Sequence, residues 1–93
     1  MKVVTRTGSF AGDKDAAASI REDYLRPNIA KGIDVLLDFD EVDLATQSFI
    51  HALIAAIVRE DPASLDHIAF KNCNDNVRSL IEIVVEYAQD EFE

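Results

Sequence analysis

The stretch Ile33-Asp34-Val35-Leu36-Leu37-Asp38-Phe39 decides how the rest of the chain is read. It is nearly continuous and apolar. Gly32 bounds it on one side and the acidic segment Asp40-Glu41-Val42-Asp43-Leu44-Ala45 on the other. A short apolar run between turn signals reads as a β-strand covered on both faces. Downstream, residues 40–45 form a connecting loop. Thr46 then caps a helix through Glu60, with Phe49, Ile50, Leu53, Ile54 and Ile57 as its inward stripe. Asp61-Pro62 closes that helix, residues 65–70 form a third strand, and Lys71-Asn72-Cys73-Asn74 is a turn-rich exit. Asn74 or Asp75 caps the last helix, whose stripe is Val77, Leu80, Ile81, Val84, Tyr87 and Ala88.

Upstream, the spacing predicts a helix over residues 14–26, with Asp13 as N-cap and Ala17, Ile20 and Tyr24 on one face. Asp15 in its first turn suits the helix dipole. Pro27 ends or kinks the helix, and a short continuation to Lys31 stops at Gly32 in the left-handed region. Residues 7–12, with Gly8 and Gly12, read as a loop, and Val3-Val4-Thr5 as a short opening strand. The expected fold class is α/β, with β-α-β-α-β-α order and a small, mainly parallel sheet. No repeat or linker divides the chain, so one domain is expected over residues 1–93.

Composition narrows the function. The 93 residues include 18 acids and nine bases, for a net charge of −9. No basic stripe exists to release counterions from a phosphate backbone, so nucleic acid and anionic membranes are excluded as partners. Solubility explains the acidity, with a basic protein surface as the alternative. No apolar run approaches a membrane span, and Met1-Lys2-Val3-Val4-Thr5-Arg6 lacks the pattern of a secretory signal. A lone cysteine, Cys73, forms no internal disulfide and fits a reducing compartment, so a cytoplasmic location is expected.

Loops at the carboxyl ends of strands gather along one side of an open α/β sheet and form its usual binding region. Here that rim holds Asp38, Asp40, Glu41, Val42, Asp43, Thr46, Gln47 and Ser48 after the second strand. Lys71, Asn72 and Asn74 follow the third. The carboxylates are of the type that binds magnesium, and residues 34–38 resemble the phosphoacceptor strand of receiver domains. The first strand, however, lacks the acidic pair that family needs, which leaves a solvated acidic loop as the plainer reading. His51 reads as a boundary residue of its helix and His67 as part of the third strand; with one cysteine there is no zinc pattern. Cys73 near a helix start is a weak nucleophile candidate without a placed base. Gly8 and Gly12 lack the lysine and hydroxyl residue of a P-loop, so no cofactor is expected.

The segment running from Val35 through Asp38-Phe39-Asp40-Glu41-Val42-Asp43 to Thr46-Gln47-Ser48-Phe49 resembles the central strand, loop and helix start of STAS domains, the fold of anti-sigma-factor antagonists. It is most similar to the STAS-like domain-of-unknown-function family, where a Ser-Phe pair opens the helix. Phe70-Lys71-Asn72-Cys73-Asn74-Asp75-Asn76-Val77 resembles that family's third strand, turn and last helix. The likeness extends over about residues 10–87. It implies a STAS-like fold and a non-catalytic, bacterial-type regulatory domain that docks another protein through this rim. In antagonists the partner is a histidine-kinase-like ATPase of a sigma-regulatory system, which phosphorylates a serine at the helix start. That serine's position falls on Gln47, and the glycine that usually follows is Phe49, which leaves Ser48 as the phosphorylation candidate. The alternatives are a self-assembling structural subunit, a homodimer through the sheet edge or last helix, and a receiver-like phosphoacceptor using Asp38. If residues 33–39 form a strand buried on both faces, Leu36→Asp is expected to unfold the protein, because an unpaired buried carboxylate is costly.

Overall fold

The computed structural model describes residues 1–90. The chain is a mixed α/β globule whose helices bury one face of short parallel strand pairs. Residues Val4–Thr7 form α1, Phe10–Ala11 β1, Lys14–Ile20 α2 and Arg26–Ala30 α3, with a wide π-turn at Arg21–Leu25 between the last two. Val35–Asp38 is β2, Leu44–Ala45 β3, Gln47–Ile50 α4 and Ala56–Glu60 α5, with a second π-turn at His51–Ala55. A 3₁₀ helix at Pro62–His67 leads into β4 at Ile68–Lys71 and α6 at Asp75–Asp90. No strand forms at Val3-Val4-Thr5, where the opening strand is expected, and both β1 and β3 are additional elements.

Strand β2 organises the rest. It pairs in parallel with β4, from Val35 opposite Ile68 to Asp38 opposite Lys71. On its other edge the Met1 amine donates to the Leu36 carbonyl (2.8 Å), the Asp38 N–H to Met1 (2.9 Å) and the Val3 N–H to the Asp38 carbonyl (2.9 Å). The extended pairing expected at residues 3–5 therefore lies at residues 1–3, with Lys2 bridged to Asp38. The cause is local. The hydroxyls of Thr5 and Thr7 donate back to the carbonyls of Lys2 and Val3 and wind Val4–Thr7 into a turn of helix. Side-chain bonds of this kind compete with β propensity. A second parallel pair joins β1 to β3, with Phe10 opposite Leu44 and Ala11 opposite Ala45, inside segments expected to be loops.

The expectation of a strand covered on both faces is corrected. Val35, Leu37 and Phe39 are buried, whereas Leu36 is 39% exposed and Ile33 stands in solvent. Phe10 and Leu44, opposite one another, are exposed as well. The helices cover a single face: Ala17, Ile20 and Leu25, then Phe49, Ile50, Leu53, Ile54 and Ile57, then Val77, Ile81, Val84 and Ala88 complete the core. Tyr87, assigned to the inward stripe of the last helix, is instead 58% exposed, and the buried row passes from Val84 to Ala88.

Both long helical runs continue through π-turns. Pro27 does not end the first run, because the wide turn sends the Arg26 N–H to the Arg21 carbonyl and opens the backbone ahead of the proline ring. The run stops at Lys31, and Gly32 takes the positive φ of 74°. The Arg21 guanidinium then reaches across to the Ala52 carbonyl in the second π-turn (2.6 Å), tying the two irregular turns together. The third strand begins at Ile68 rather than at residue 65. Asp61 caps the 3₁₀ helix through the Ala63 N–H (3.1 Å), and this places His67 in that helix, bonded to Asp34 (2.7 Å). Among the described residues no helix is long and apolar enough to cross a membrane.

The one-sided sheet reverses the Leu36→Asp expectation. That variant is expected to stay folded, losing about 1 kcal/mol from an exposed strand position. Leu37→Ala should lose about 3 kcal/mol by leaving a core cavity. Urea denaturation of the two variants checks the contrast.

Candidate functional site

The rim is built where β2 ends. The Phe39 N–H donates to the Lys71 carbonyl (2.8 Å), which carries the ladder one step past β2, and the Phe39 carbonyl then accepts from Val42 N–H (3.1 Å). Between them the chain reverses through Glu41, whose φ of 68° is unusual for a residue with a side chain. The Asp38 carboxylate faces the turn and accepts from the Asp40 N–H (2.9 Å) and the Asn72 amide (3.0 Å). These bonds, the Asp40 one foremost and with Lys71 and Lys2 nearby, hold the carboxyl below its usual range. Because the folded form holds the proton less tightly, the resulting stability is present above the unfolded carboxyl's pKa. It is lost as pH falls through the folded value.

Asn74 clasps the acidic loop to the last helix. Its Oδ1 accepts from the Val77 N–H (2.9 Å) as the N-cap of α6. Its Nδ2 donates to the carbonyls of Val42 (3.2 Å) and Asp43 (2.8 Å). Asn76 adds an acceptor for the Ala45 N–H (3.0 Å). From the other side the Ser9 carbonyl takes the N–H groups of Asp43 (2.8 Å) and Leu44 (3.2 Å), and the Thr46 N–H donates to Ala11 (3.0 Å). The backbone of the acidic loop is thus satisfied from two elements distant in sequence. Thr46 caps α4 through the Phe49 N–H (3.1 Å), and its hydroxyl lies 3.2 Å from that of Ser48.

The fold brings Asp38 together with Asn72, and Asn74 together with the backbone of Val42 and Asp43. Asp40, Glu41, Asp43, Gln47, Ser48, Lys71, Asn72 and Asn74 are exposed. Val42 is corrected from a surface residue to a core anchor, because its side chain is buried under the turn. Gln47 and Ser48 open onto a shallow cleft of about 400 Å³ with Lys14, His51 and Ala52. His51 is half-buried and bonded to Arg59 (3.2 Å). Among the described residues no three His, Cys, Asp or Glu converge as a metal-holding group; Asp38 spends its carboxylate on the turn while its acidic neighbours face solvent. Burial pushes the Cys73 thiol up, which opposes a nucleophilic role. Sequence reading placed Asn76 in the turn after the third strand but gave it no role, and it missed Ser9 and Lys14.

Asn74→Ala is expected to cost about 2–3 kcal/mol by removing a helix cap and two loop bonds. Asn72→Ala should raise the Asp38 midpoint and lose only the small stability that this bond adds above the unfolded carboxyl's pKa. Denaturation together with carboxyl NMR titration distinguishes the two asparagines.

Against this geometry, a family model described as a STAS-like domain of unknown function matches residues 16–78, from α2 through the first turn of α6. No curated protein and no solved structure matches the chain. The matched region covers well over half of the chain and contains β2, the acidic loop, the capped start of α4 and the Asn-rich turn. The chain therefore belongs to the STAS-like domain-of-unknown-function family.

Proposed function

We propose that the chain is a non-catalytic regulatory domain that docks a protein partner, a histidine-kinase-like ATPase in the first instance, through the rim at Asp38–Ser48 and Lys71–Asn74. The observation that carries this reading is the Asn74 clasp. It fixes the backbone of the acidic loop by bonds from within the chain, so docking would not have to order the loop first. Asp40, Glu41 and Asp43 then present carboxylates beside the exposed Gln47-Ser48 step. A chain of net charge −9 attracts a basic partner surface at long range. Ser48 is the modifiable position of this surface, since Gln47 accepts no phosphate. Lys14 across the cleft is the nearby cation, and the start of α4 tolerates negative charge.

A second reading rests on Ile83 and Tyr87, 49% and 58% exposed on α6, which suit a helix-to-helix homodimer. Sedimentation across a concentration series separates the two, because a persistent monomer removes self-assembly.

Ser48→Glu and Asp43→Lys are each expected to weaken capture of the partner about tenfold or more, with unchanged circular dichroism and denaturation midpoint. The purified partner ATPase, titrated against wild type and both variants, supplies the measurement. Undiminished affinity in both would show that docking lies elsewhere.

A further inference from the structure

The outer edge of β4 borders a groove that meets the rim only at Asn72 and Cys73. Among the described residues β4 pairs with β2 alone. The Lys71 carbonyl faces β2, where it accepts from Phe39. Backbone groups alternate sides along a parallel strand, so the N–H and carbonyl of Phe70 face outward. Beside this edge a cleft of about 380 Å³ separates β4 from α6, lined by Phe70, Asn72, Cys73, Arg78, Ile81 and Glu82. Phe70, Cys73 and Ile81 make its floor apolar. Arg78 and Glu82 are both exposed and one helical turn apart, and α6 runs back from the turn that ends β4. The groove is therefore polar along its length: positive near the Asn72 end, negative towards the start of β4.

We infer that this groove receives an extended peptide segment of a partner protein, paired antiparallel to β4, in the order acidic residue, apolar anchor, basic residue at alternate positions. An open edge supplies main-chain hydrogen bonds and the neighbouring pocket selects alternate side chains. An antiparallel strand enters at the Arg78 end, so its leading side chain meets the cation and its trailing one meets Glu82. A second copy of the chain fits the edge less well. Pairing two β4 edges leaves the apolar floor unfilled and brings together two molecules each of net charge −9. The site adjoins the rim proposed for docking and shares Asn72 and Cys73 with it, but its charge-selecting pair, Arg78 and Glu82, lies outside that surface.

The probe is the peptide acetyl-Ser-Glu-Thr-Phe-Thr-Lys-Ser-amide, with acetyl-Ser-Lys-Thr-Phe-Thr-Glu-Ser-amide as its charge-reversed control. In NMR titrations the first peptide is expected to shift the Phe70 and Ile81 amides and to bind about fivefold more tightly than the control. In the Arg78→Glu/Glu82→Arg double variant, which changes only exposed positions, that preference should invert. Absence of shifts at Phe70, or the same preference in wild type and swapped protein, would overturn the inference. Concentration-dependent dimerisation that protects the Phe70 amide without peptide would also overturn it, by making a second copy the occupant.

Discussion

The hydrogen-bond pairing of β2 on both of its edges is the constraint on which the rest of the molecule depends. One edge holds residues 1–3 and the other holds β4, so a four-residue strand joins the start of the chain to a segment more than thirty residues downstream. Register on such a strand is all or nothing, since a slip of one residue moves every side chain to the opposite face. The register is set by Val35, Leu37 and Phe39, all buried, against Leu36 and Asp38, which face the open side. Burial of three large side chains at roughly 2 kcal/mol each outweighs the loss of Leu36 to solvent.

The rim follows from that register. Asp38 closes the ladder, and its carboxylate holds the turn through Asp40, while the neighbouring end of β4 delivers the Asn-rich turn. Asn74 then serves two elements with one side chain, capping α6 and pinning the acidic loop. A strand, a turn and a helix start are coupled by short polar bonds in addition to the buried side chain of Val42. This is how an acidic loop on the surface of an acidic protein keeps a fixed backbone. The Arg21 bridge between the two π-turns does the same for the helices, holding the layer against which β2 packs.

Much of this arrangement is legible in the amino-acid order, and the reasons it fails elsewhere are specific. Thr46, Asn74, Asp13 and Gly32 act through their own local geometry, so their capping and stop roles are readable from single positions. The stripe from Phe49 to Ile57 is readable because burial repeats with helical period. The open face of the sheet is not, because an apolar residue at Leu36 looks the same whether a helix covers it or not. Pairs as short as Phe10–Ala11 with Leu44–Ala45 carry no periodicity at all and are fixed by Ser9 and Thr46 backbone bonds. The π-turns conserve the stripe while shifting its phase, which leaves Tyr24 half-buried and Leu25 inward. Of the rim, its place in the chain was readable and its clasp was not, since Asn74 meets Val42 and Asp43 only after the fold has formed.

Amide hydrogen exchange at Asp38 and Phe39 tests the central claim most directly. Their N–H groups bond to opposite neighbours, Asp38 to Met1 and Phe39 to Lys71. If β2 is the paired interior strand, both amides exchange only through global unfolding, with the same denaturant dependence as Leu53 in the core. Exchange of either amide at the rate of an exposed loop would show that β2 is not held from both sides, and would contradict the account of the rim built on it.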